Sequence, residues 1–90
     1  MISSNVIKGV KEAFGERQIA LGDDERMGDA VARALHVSES QAERWLEALS
    51  DGCTLAQANT RAGISPTNEN EPLLTAIART IGALAGKMAS

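Results

Sequence analysis

The sequence predicts an all-α fold: a compact orthogonal bundle of four to five helices forming one small domain over residues 1–90. Three observations carry that expectation. Apolar residues recur at three- and four-residue spacing along most of the chain, which gathers them on one side of a helix. No segment alternates apolar and polar residues with the two-residue period of a half-buried strand. Glycines and cap-forming hydroxyl, amide or carboxylate residues stand between the periodic segments.

Val6, Ile7, Val10 and Phe14 form the apolar face of the first helix, with Ser3, Ser4 or Asn5 as its cap and Gly15 as its stop. The following "ERQIALG", residues 16–22, adds at most another turn or a short helix. Asp23, Asp24 and Glu25 bring acceptors and negative charge to the start of a second helix, whose face is Met27, Ala30, Val31, Ala34 and Leu35 and which runs to about His36. "SESQ", residues 38–41, has capping-box spacing and opens a third helix through Ala42, Trp45, Leu46 and Leu49, stopped by Gly52. "TLAQ", residues 54–57, repeats that spacing before Leu55, Ala58 and Ala62, and Gly63 ends this short fourth helix. "SPTNENEP", residues 65–72, reads as a loop, with Pro72 at the first position of a fifth helix.

Composition narrows the function. With one Phe, one Trp and no Tyr, the core is built from Ala, Leu, Ile and Val around Trp45. Twelve acidic against nine basic residues give a net charge of -3, which supplies no global attraction to nucleic acid or an anionic membrane. The most apolar run, residues 72–90, is broken by Arg79, Thr80 and Lys87 and falls short of the roughly 20 residues of a membrane span. Cys53 has no second cysteine to pair with, and nothing near Met1 has the order of a signal peptide, so a reducing cytoplasmic setting is expected.

Residues 31–46, "VARALHVSESQAERWL", resemble a helix-turn-helix over about 20 residues. Ala32 is the small residue of the first helix, flanked by Val31 and Leu35; Val37, Ser38, Ala42 and Trp45 occupy the apolar, capping and buried positions that follow. His36 stands where glycine is usual and must accept a left-handed backbone, and Ala42 stands where a branched aliphatic is commoner. The resemblance implies a DNA-binding regulator reading bases through Ser40, Gln41 and Arg44. Glu39, Glu43 and Glu47 share that helix with one guanidinium, so phosphate would be repelled where docking has to begin. A structural helix pair is the favoured reading and DNA binding the alternative. "TLAQANTRAGIS" opens a second such pattern, but Glu69 and Pro72 fall on its buried positions; a packing helix is favoured there over a contact surface of Gln57, Asn59 and Arg61.

Chemistry finds little support. His36 and Cys53 are each single, with no third group to orient them, and a hydrophobic-staple role against Ala58 suits Cys53 better than a nucleophile. "DDE", residues 23–25, lacks the spaced ligands and glycine of a calcium loop, and no His or Cys cluster has zinc-ligand spacing. "GALAGK", residues 82–87, is one residue short of a phosphate loop and lacks the following Ser or Thr. No catalytic residue, metal or cofactor is therefore expected.

The last helix is the most informative segment. Leu74, Ile77, Ile81, Leu84 and Met88 alternate three and four apart, the spacing of a continuous helix-helix seam, with Leu73 widening it and Ala78, Gly82 and Ala85 flanking it. That seam either completes the chain's own core or forms an interface with a second copy or a protein partner; Leu74 and Ile77 are expected nearer the bundle, and Leu84 and Met88, near the helix end, at such an interface. The expected function is accordingly a non-catalytic binding or assembly module, with a helix-turn-helix DNA-binding regulator as the alternative.

Overall fold

Five α-helices and no strand make up the described residues, which in this computed structural model are 2–22 and 25–89 for the backbone and, for side chains, extend as far as Gly82. The radius of gyration is 11.9 Å, close to the roughly 12 Å expected of a folded chain this long.

The first helix, α1 (Ser4–Glu16), starts where the Ser3 hydroxyl accepts from the Val6 N–H, and it buries Val6, Gly9, Val10, Ala13 and Phe14. Ile7, expected on that face, is only half-buried. Gly15 does not stop the helix. The stop is Gln18, whose φ of 58° turns the chain so that the Ile19 N–H reaches the Phe14 carbonyl at 2.8 Å. Residues 19–22 add no helix. They are held by Ile19 and Leu21 against the core and by the Ala20 carbonyl, which accepts from Arg33 Nη2 at 3.0 Å.

Helix α2 (Met27–Leu35) begins later than the acidic run implied, after Arg26, which supplies no side-chain cap. Asp23 and Asp24 lie outside the described residues. Glu25 turns away to Arg33, accepting from Nη2 at 2.8 Å and Nε at 3.2 Å in a two-pronged charged pair. Its carboxyl is held below the usual range by that bond and by the Gly22 N–H. The helix ends at His36, left-handed at φ 58°, ψ 44°, with the Val37 N–H bonded to the Ala32 carbonyl at 3.1 Å.

Helices α3 (Glu39–Ser50) and α4 (Leu55–Ala62) both start on complete capping boxes, Ser38 with Gln41 and Thr54 with Gln57. Gly52 and Gly63, at φ 90° and 69°, end them as the sequence implied. The loop before α5 (Glu71–Ala89) contains a third reciprocal pair: the Thr67 N–H donates to Asn70 Oδ1 at 2.7 Å, and the Asn70 N–H to Thr67 Oγ1 at 3.2 Å. Pro72 consequently falls at the second helical residue rather than the first.

Helix α3 is central, touching α1, α2 and α4, while α5 lies mainly along α1 and meets α4 more lightly. Trp45 and Phe14, both fully buried, fill the middle with Leu35, Leu46, Leu74 and Ile77. Asn59 answers the one polar requirement of the indole, accepting from Trp45 Nε1 at 2.8 Å inside the core.

Candidate functional site

Two regions hold the residues singled out by the sequence. The first is the α2–α3 pair. Its connection is three residues, His36, Val37 and Ser38, with the left-handed residue first, and it lets Ala32, Leu35, Ala42 and Trp45 pack in one core. The three residues proposed to read bases have different surroundings. Gln41 uses both ends of its amide inside the chain: Oε1 accepts from the Ser38 N–H at 3.0 Å, and Nε2 donates to the Gly63 carbonyl at 3.1 Å. Ser40 is exposed, its hydroxyl 3.4 Å from that of Ser38. Arg44 is exposed and lines a shallow depression of about 170 Å³ with Glu47, Ala48, Asp51 and Arg61, where two carboxylates balance two guanidiniums.

Negative charge gathers at the start of this pair. Glu39, in the first turn of α3, has its carboxyl pushed above the ordinary glutamate range by a hydrogen bond to Asp29 of α2, which favours the protonated form, and by the negative charge of Asp29; Glu43 adds to the effect and Arg26 opposes it. Glu43 also lies flat on buried Gly28, where a Cβ would come within 2.9 Å of Glu43 Cγ. Arg33, the other nearby cation, is held by Glu25 and the Ala20 carbonyl.

The second region is α5. Leu74 and Ile77 are 1% and 0% exposed, so they belong to the chain's own core and are unavailable to a partner while it is folded. Ile81 is half-buried where α5 crosses α1: a Cβ on Gly9 would lie 2.5 Å from Ile81 Cγ1 and 3.2 Å from its backbone N. Arg79 of α5 bonds Glu16 at 2.8 Å, and Ile81, further along α5, meets the earlier Gly9, so the two helices run antiparallel. Gly82, the next residue, is exposed, and among the described residues no atom beyond its own stretch of helix lies within 4 Å of the place a Cβ would take. The side chains of Leu84 and Met88 lie outside the described residues, although the helical backbone continues through them to Ala89.

Sequence reasoning missed two features of this arrangement. Asn59 is the core partner of Trp45, signalled only by its being the amide nearest the face of α4 that carries Ala58 and Ala62. Gly9, inside an otherwise ordinary amphipathic helix, was a signal of close approach by another element. His36 is exposed at the end of α2, and Cys53 is half-buried against the core. Among the described residues no group of three or more His, Cys, Asp or Glu is placed to hold a metal ion, and no helix is long and apolar enough to cross a membrane. In comparison with known proteins, the chain matches no family model, no curated protein and no solved structure.

Proposed function

We propose that this chain is a non-catalytic helical assembly module that pairs with a second copy of itself through the C-terminal half of α5. The observation that carries the reading is Gly82. A glycine inside a helix is about 0.5–1 kcal/mol less favourable than alanine, and the described contacts of this chain give Gly82 no compensating role, in contrast to Gly9. A helix from a second copy, approaching closely at that point, supplies one.

The lengths of the two helices support the same reading. From the crossing of Gly9 with Ile81, α5 continues eight residues to Ala89, whereas α1 reaches back only five to Ser4. About one turn of α5 therefore outruns α1, in the stretch where the sequence continues the apolar seam with Leu84 and Met88. Two such ends related by a twofold axis would cover each other, because a symmetric contact needs one self-complementary patch.

Light scattering at about 100 μM protein, in the micromolar range of an ordinary weak dimer, tests the proposal. A dimer is expected, reduced to monomer by Leu84→Glu or Met88→Glu with helicity largely kept. A monomeric parent protein whose mass and stability are both unchanged by Met88→Glu would overturn it.

The second reading is a helix-turn-helix regulator, favoured by one observation: the left-handed His36 in a three-residue connection. The internal use of Gln41 and the Asp29, Glu39 and Glu43 carboxylates weigh against it. Binding to mixed duplex DNA weaker than about 100 μM at physiological salt is expected, the weak end of the nonspecific range. Nanomolar binding to a defined duplex in an anisotropy titration would install the regulator in place of the assembly module.

A further inference from the structure

We draw no further inference here: the strongest candidate, the open groove of about 490 Å³ between the C-terminal end of α1 and the first turns of α5, sets Arg17 and Arg79 against Glu71 while Arg79 is already bound to Glu16, and nothing in the structure shows what covers it.

Discussion

Asn59 decides how much Trp45 contributes to the fold. A buried indole N–H without an acceptor costs about 1–3 kcal/mol, so the 2.8 Å bond to Asn59 Oδ1 turns a liability of the core into a neutral or favourable contact. Asn59→Ala is therefore expected to destabilise the protein by about 1–3 kcal/mol in denaturant titrations, and Trp45→Ala by about 3–5 kcal/mol through the cavity it leaves. Making Asn59→Ala in a Trp45→Phe background should cost much less, because no orphaned donor remains. Equal costs in the two backgrounds would show that the hydrogen bond contributes nothing. Native tryptophan emission should be blue-shifted and resistant to quencher. The position of Trp45 was legible in the sequence, since a lone tryptophan among Ala42, Leu46 and Leu49 has one natural place. Its partner was not, because the bond joins residues 14 apart on different helices and an asparagine on α4 looks like any solvated residue.

At the scale of the elements, local patterns were legible and distant ones were not. Ser38 with Gln41 and Thr54 with Gln57 form as read because both members of each box lie within one turn. Glu25 does not cap α2 as the acidic run implied, because Arg33, eight residues away, competes for that carboxylate. Gln18 ends α1 by adopting a left-handed conformation that glycine adopts more easily, and nothing in its side chain announces it. Two glutamates near α2 should respond to pH with opposite sign. Glu39 holds its proton more tightly in the folded chain than the usual value of 4.5 would allow. Its cost to stability is absent in acid below the unfolded value and fully present once pH has risen through the folded value. Glu39→Gln should therefore raise the melting temperature at neutral pH and leave it unchanged in acid. Glu25, held below that value by Arg33, contributes stability above the unfolded value and loses it as pH falls through the folded one. Glu25→Gln should lower the melting temperature at neutral pH and have little effect in strong acid. Parallel responses of the two variants would show that Asp29 and Arg33 do not act on them as described.

For the whole molecule, two glycines on neighbouring faces give the sharpest comparison. A methyl group at Gly9 would press on the backbone of Ile81, so Gly9→Ala should cost about 1–3 kcal/mol as α1 and α5 are forced apart. A methyl group at Gly82 meets no described residue beyond its own stretch of helix, so Gly82→Ala should stabilise the monomer by about 0.5–1 kcal/mol. If a second copy crosses there, the same substitution should also weaken self-association in sedimentation equilibrium, so stability and assembly would move in opposite directions. Stabilisation with unchanged association would place the crossing elsewhere. Leu74→Glu, by contrast, should unfold the chain, because that side chain is 1% exposed. Along the stripe from Leu74 to Met88 the sequence already sets Leu74 and Ile77 nearer the bundle than Leu84 and Met88, and their burial agrees; that α1 is the helix lying against α5 is a fact of tertiary packing that spacing along one helix does not contain.

The two polar ties between α3 and α4 also bear on how the folded chain breathes. Gln41 reaches across 22 positions to the Gly63 carbonyl at one end of the pair, and Trp45 reaches across 14 to Asn59 deeper inside. Full separation of the helices would break both bonds and expose the indole, which opposes detachment of α4 as a unit. In native-state hydrogen exchange the backbone amides of the two helices should thus share a single opening free energy and respond alike to mild denaturant. Distinct opening free energies for α3 and α4 would show that the two helices do not open as one unit.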